Sequence, residues 1–141
     1  MHTSDISNVY AIELHAHKTP WSKEILRDCV LVGYDCRVIE INNVLTGYII
    51  SRFADGICHI LNICIATSMQ SQGWGKQLLH SFIDSLQLNT QVRSVILEVR
   101  PSNSAAIHLY MKMGFTQIDL KKDYYKDANS MEDAIVLEKV L

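Results

Sequence analysis

Residues 57–65, ICHILNICI, form a nearly continuous apolar run, and nothing else in the chain constrains the fold as tightly. A run of that length and composition suits a strand buried on both faces of a sheet. It leads into the stretch QSQGWGK at 70–76, where Gly73 and Gly75 stand one residue apart. Beyond them Trp74, Leu78, Leu79, Phe82, Ile83 and Leu86 recur at the spacing of an amphipathic helix reaching to about residue 88. Residues 94–99, SVILEV, then read as a second strand, closed by Pro101, which cannot donate to a ladder. Strand, glycine junction, helix and strand together predict a right-handed parallel crossover.

The flanking sequence extends this unit. Ile6, Val9, Tyr10, Ile12 and Glu13 keep a helical rhythm over 5–17, with Ser4 or Asp5 as cap, and a second helix follows Pro20 from Trp21 to about residue 32. Strands at 36–41 and 44–53 flank Asn42-Asn43, and Asp55-Gly56 forms a second hairpin turn. A helix over 103–113 ends at Gly114, and strands at 115–120 and 134–140 close the chain around a loop carrying Tyr124 and Tyr125. The order ααβββαβαββ predicts an α/β fold: a central mixed sheet flanked on both faces by about four helices. The chain of 141 residues, without repeat or linker, is expected to form a single domain spanning 1–141.

Composition narrows the function. Apolar residues make up 48% of the chain, yet no run approaches the roughly 20 needed to cross a bilayer. The first residues lack the basic and apolar regions of a secretory signal, so a cytoplasmic location and no membrane partner are expected. A net charge of −2 with no basic cluster gives no reason for direct nucleic-acid binding. Asp119, Asp123, Asp127, Glu132 and Asp133, interleaved with Lys121, Lys122 and Lys126, read as a solvated mixed-charge face or as a surface that attracts a basic peptide. Cys29, Cys36, Cys58 and Cys64 contain no CxxC pair and read as small hydrophobes, and the histidines lack the clustering of a metal site.

The glycine stretch is compared with three phosphate-binding patterns. A P-loop needs a glycine where Gln70 stands and a hydroxyl where Gln77 stands; a dinucleotide fingerprint needs a glycine where Leu78 stands. The pattern Q/R-x-x-G-x-G/A is satisfied by Gln70, Gly73 and Gly75. A helix starting there offers free N–H groups and the positive end of its dipole, and two missing β-carbons let a pyrophosphate rest on those donors without metal or lysine. A turn that only packs its helix on the sheet remains the alternative.

Several further stretches bear on the choice: HKTPWS at 17–22, Asn62-Ile63 before the glycine motif, LEVRPSNSAA at 97–106, Leu109-Tyr110 with Met113-Gly114-Phe115, and Tyr124-Tyr125 with Glu132-Asp133-Ala134. Together they resemble the GCN5-related N-acetyltransferases (GNAT) over nearly the whole chain, and within them the RimI-type enzymes that acetylate the N-terminal alanine of a small-subunit ribosomal protein. The resemblance implies the GNAT acyl-CoA N-acyltransferase fold and acetyl-CoA as co-substrate, with no metal. It implies that Ser71, Gln72, Gly73, Trp74, Gly75 and Lys76 cradle the pyrophosphate, that Ile63, Cys64 and Ile65 line the pantetheine arm, and that Asn103 is a further cofactor contact. The partner it implies is a ribosomal protein N-terminus, met by a monomer or weak oligomer. The chain departs from the family in Ala66–Met69, where an Asp-Pro pair is frequent, in Ser71, where a basic residue is frequent, and in a first strand that is nearly absent.

Acetyl transfer to an amine requires a base for the amine, donors for the oxyanion and a proton for the thiolate. Glu98 is the only carboxylate in its apolar strand and, by alternation, shares a face with Ile96 and Arg100. It is the candidate base; a solvent-facing edge residue, or one ion-paired with Arg100, is the alternative. Periodicity alone reads Tyr110 as a core tyrosine; the resemblance makes it the general acid, and also places the oxyanion donor near Ile65. Trp21, Tyr124 and Tyr125 match positions that flank the acceptor slot. Acetylation of a small amine and non-catalytic sensing of acetyl-CoA are the competing functions.

Overall fold

The structure, a computed structural model, describes residues 1–127 and 129–141. Among the described residues there are four α-helices, α1 (Ile6–Ala16), α2 (Lys23–Leu31), α3 (Trp74–Gln87) and α4 (Ser104–Lys112), and six strands, in the order ααβββαβαββ. The strands are β1 (Asp35–Ile41), β2 (Val44–Ala54), β3 (Ile57–Ile65), β4 (Ser94–Val99), β5 (Thr116–Lys126) and β6 (Met131–Val140). Their hydrogen-bonded order is β1-β2-β3-β4-β6-β5. β3 and β4 are parallel, while β1 with β2, β4 with β6 and β5 with β6 are antiparallel, so the sheet is mixed as expected. No described helix is long and apolar enough to cross a membrane.

The chain packs as two compact units. The first comprises residues 1–52 and 61–84. Its core joins Ile6, Val9 and Ile12 of α1 with Leu26 and Cys29 of α2, Tyr48 and Ile50 of β2, and Cys64 of β3. Ser22 caps α2 by accepting the Ile25 N–H at 3.2 Å. At the start of α1 a short turn, Thr3–Asp5, precedes the helix, and Asp5 accepts the His2 N–H at 2.7 Å.

The second unit comprises residues 53–60 and 85–141. Four parallel pairs, from Ile57 with Ser94 to Ile60 with Leu97, join β3 to β4. Along β4, Val95, Leu97 and Val99 are buried while Ile96 and Glu98 are half-buried, the alternation expected of a strand. Asn103 caps α4 by accepting the Ala106 N–H at 3.3 Å, and Gly114 follows that helix with φ +94°. One expectation is corrected here. Tyr124 and Tyr125 lie in a strand, because β5 runs to Lys126 and pairs Tyr125 with Glu132 and Lys126 with Met131. The register shifts between Lys121 and Tyr125, where Asp123 has φ +53°, so an irregularity lets the hairpin continue past the point where the apolar pattern stops. Almost every residue of β5 is exposed, so no hydrophobic alternation marks the extension of the strand past Leu120.

Candidate active site

The second unit brings a carboxylate and two cationic or proton-bearing side chains together. Glu98 projects from the half-buried face of β4, and its side chain is 9% exposed. Its Oε2 lies 2.6 Å from Nε2 of His59 on β3, and its Oε1 accepts from Nζ of Lys121 on β5 at 3.0 Å. Burial is the largest influence on this carboxyl and pushes it up, but the hydrogen bonds and charges of His59 and Lys121 outweigh it and hold the group below its ordinary range. Glu98 is therefore an ionised acceptor with both oxygens engaged. The hydrogen bond to Glu98, partly opposed by desolvation, raises the Lys121 ammonium in turn.

Arg100 pairs with a different carboxylate. Its Nη1 donates to Glu132 at 3.2 Å, and its guanidinium lies 4.3 Å from the ring centroid of Tyr125. Glu132 also accepts the Ser102 N–H at 3.0 Å and its hydroxyl at 2.9 Å. Tyr125 meets Tyr124 edge-on with centroids 5.0 Å apart, and the Lys121 ammonium lies 5.1 Å from the Tyr124 ring. Burial first, then the negative charge of Glu98, pushes the Tyr125 phenol up to about 12, so it stays protonated. Glu98, Lys121, Tyr124, Tyr125, Arg100 and Glu132 thus form one chain of contacts. Much of the acidic cluster is spent inside it or nearby: Asp133 accepts the Asp123 N–H at 2.9 Å, and Asp127 accepts the N–H of Ser130 at 2.9 Å. Tyr110 is buried on α4 and packs against Phe115 with centroids 5.8 Å apart.

The first unit holds the glycine stretch. Ser71 has φ +64° and Gly73 φ +87°, so the backbone turns through left-handed conformations before α3 begins at Trp74. A β-carbon on Gly73 would meet nothing within 4 Å, so it faces open space. Gln70 folds back and donates from Nε2 to the Ile65 carbonyl at 2.9 Å, which fixes the approach to the turn. The face of α3 that begins at Gly73 lines a cavity of about 460 Å³ with Lys76, Gln77, His80, Ser81 and Asp84. Trp74 keeps a buried indole N–H with no acceptor among the described residues. Amides at a helix start, an open glycine, a lysine and an unspent donor suit an anionic, partly polar ligand such as acetyl-CoA.

This unit also contains a buried carboxylate that sequence reading assigned only to a helical rhythm. Glu13 is 1% exposed. It accepts from the Tyr48 hydroxyl, from Asn62 Nδ2 at 2.7 Å and from the backbone N–H of Trp21 at 2.9 Å. His17 Nε2 lies 3.3 Å away. One side chain of α1 therefore ties together β2, β3 and the segment carrying the half-buried Trp21.

The model of the acetyltransferase (GNAT) family matches residues 4–115. The chain belongs to the GNAT acetyltransferase family. It is 32% identical over 137 residues to the [ribosomal protein bS18]-alanine N-acetyltransferase of Escherichia coli strain K12, covering 97% of this chain and 92% of that protein. The protein of the same name from Haemophilus influenzae is 37% identical over 135 residues, covering 94% and 90%. Among solved structures, the crystal structure of the ribosomal-protein-S18-alanine N-acetyltransferase from Escherichia coli superposes with a TM-score of 0.92 at 31% identity, covering 99% of this chain and 90% of that one. A GNAT family acetyltransferase from Elizabethkingia anophelis, solved with acetyl-CoA bound, gives a TM-score of 0.78 at 28% identity, covering 94% and 90%.

The structure brings Glu98 together with Tyr124 and Tyr125 through Lys121, and packs Tyr110 of α4 against Phe115, which follows the helix. Ser71 to Lys76 form the turn and first residues of α3, Ile63, Cys64 and Ile65 end β3, and Asn103 spends its carbonyl oxygen on the α4 cap. Sequence reasoning missed His59 and Lys121 as partners of Glu98, and Glu13 as a buried acceptor in the first unit. A histidine in the β3 apolar run and a glutamate in phase with Ile6, Val9 and Ile12 were the available signals, since polar groups on packed faces require partners.

Proposed function

We propose that this GNAT protein transfers the acetyl group of acetyl-CoA to the α-amine of a protein N-terminus, an alanine on a small-subunit ribosomal protein. The observation that carries the reading is Glu98, an ionised carboxylate held between an imidazole and an ammonium beside two tyrosines. Identity to the bS18-alanine N-acetyltransferases over nearly the whole chain supports the choice of acceptor. When bound, acetyl-CoA supplies an activated thioester. Ser71 to Lys76 and the start of α3 hold its pyrophosphate, Ile63, Cys64 and Ile65 offer strand-like contacts to its arm, and Asn103 adds a contact from α4.

Glu98 acts as the base. A carboxylate below its usual range cannot strip more than a small fraction of an ammonium of pKa near ~8 at rest. The neutral fraction of the amine attacks the thioester carbonyl carbon; as its electron pair enters the new N–C bond the nitrogen becomes acidic and gives its proton to Glu98, and the C–S bond breaks to release the thiolate. Tyr110 supplies a proton to the departing thiolate, and Trp21, Tyr124 and Tyr125 receive the peptide end. A backbone N–H near Ile65 faces the oxyanion. The test is incubation with acetyl-CoA and small-subunit ribosomal proteins, followed by mass spectrometry of their N-termini. Acetylation of one alanine-starting protein is the expected result; acetylation of polyamines or aminoglycosides alone would place the enzyme with small-amine acetyltransferases, and no transfer with retained cofactor binding would make it a sensor.

A further inference from the structure

The base candidate has two oxygens with unequal partners. Oε2 is held at 2.6 Å by His59, whose side chain is 18% exposed, whereas Oε1 is held at 3.0 Å by Lys121, whose side chain is 44% exposed. An ionised carboxylate only accepts, so the His59 nitrogen facing it carries the hydrogen, which settles that imidazole as an Nε2–H donor. The other groups facing Glu98 are few. β5 contributes Lys121 and the charge-coupled Tyr125, and β6 opposes Glu98 with the apolar Val136. His59 sits opposite Ile96 in the parallel register, so two paired strands fix the distance between imidazole and carboxylate.

We propose that His59 is a positioning residue for the base: it clamps Glu98 by Oε2 so that Oε1, held among the described residues by an exposed ammonium, is the oxygen that meets the acceptor amine. Lys121 marks the place of that amine. Its ammonium occupies the hydrogen-bonding position on Oε1 that an incoming α-ammonium needs, and its exposure lets it give way. The clamp rests on the reading of Glu98 as the base.

The experiment compares wild type, Glu98→Gln, His59→Ala and His59→Gln with an alanine-starting peptide across a pH series, alongside acetyl-CoA binding by calorimetry. His59→Ala is expected to lower kcat roughly ten- to a hundredfold, the scale of a misplaced reacting group, with the acetyl-CoA Kd within about twofold of wild type. The acidic limb of its kcat/KM profile moves to higher pH, because one of the two donors that hold Glu98 ionised is gone. His59→Gln, which restores an N–H donor, recovers part of kcat and part of the limb. Wild-type kcat and an unmoved limb in His59→Ala overturn the clamp, as does an equal loss in both variants with the limb in place. If His59→Ala does not fold, the limb of His59→Gln decides, and no displacement from wild type overturns the proposal. Wild-type turnover by Glu98→Gln overturns the base itself, a different result from an inactive Glu98→Gln beside an unaffected His59→Ala.

Discussion

On the proposed mechanism Glu98 is the base and Tyr110 the acid, and their substitutions separate chemistry from binding. Glu98→Gln keeps the shape of the side chain but removes the proton acceptor, and Tyr110→Phe removes the hydroxyl proton. Each is expected to lower kcat by about 10²–10⁴, the usual worth of a positioned acid or base, with acetyl-CoA affinity retained in calorimetry. The pH dependence follows from the same ion pairs. Glu98 titrates below its unfolded value, so its partners stabilise the fold above the ordinary carboxylate range, and that contribution is lost as pH falls through the lower folded value. Acid titration of melting temperature should therefore show Glu98→Gln flatter than wild type only in this acidic window. A second residue acts on structure. Truncation of Glu13 to alanine strands the Tyr48 hydroxyl, the Asn62 amide and the Trp21 N–H in a closed interior. At about 1–3 kcal/mol for each unsatisfied group, Glu13→Ala is expected to cost about 3 kcal/mol or more in urea unfolding. Glu13→Gln, which keeps an acceptor oxygen, should cost less.

Elements explain both what was legible in the sequence and what was not. β3 and α3 announced themselves because ICHILNICI has no solvent face and Trp74, Leu78, Phe82 and Ile83 keep one stripe. β5 is legible only as far as Leu120; its extension to Lys126 is not, because the side chains there are mostly exposed and a stretch bearing Lys121, Lys122 and Asp123 reads as loop composition. Its strand character comes from pairing with β6, a tertiary cause that no local pattern encodes. The same blindness hid Lys121 as a partner of Glu98, since 23 residues separate them in sequence and only the hairpin brings them together. At the turn before α3 the prediction is specific. Gly73 has φ +87° with open space around a built β-carbon, so alanine there meets no clash and only backbone strain, about 1 kcal/mol. Gly73→Ala should fold, with a small loss of stability. If its backbone cradles the pyrophosphate, its Kd for acetyl-CoA should rise well beyond that strain, measured by calorimetry, while Gly114→Ala, whose φ is +94° after α4, should leave the Kd unchanged.

At the scale of the whole molecule, the cofactor reading and the catalytic reading make separable demands. The residues assigned to the pyrophosphate lie in the first compact unit, whereas Glu98, Tyr110, Asn103, Tyr124 and Tyr125 lie in the second. A ligand that binds only the folded chain stabilises it by RT ln(1 + [L]/Kd), about 2.7 kcal/mol at a hundredfold excess over Kd. For a chain of this size that is an upward shift in Tm of roughly 5–10 °C. Acetyl-CoA should produce it in wild type, and also in Glu98→Gln and Tyr110→Phe, since neither residue is among those assigned to the pyrophosphate. Coenzyme A should shift Tm nearly as far, because the pyrophosphate and arm it shares with acetyl-CoA carry the contacts assigned to Ser71–Lys76 and Ile63–Ile65. An alanine-starting peptide added to the acetyl-CoA complex of Glu98→Gln should add a further shift, for the acceptor contacts proposed for Trp21, Tyr124 and Tyr125 do not depend on the base. A flat response to acetyl-CoA would remove the cofactor from this account. A full response with no peptide increment would leave the cofactor in place and take the acceptor surface away from those three aromatics.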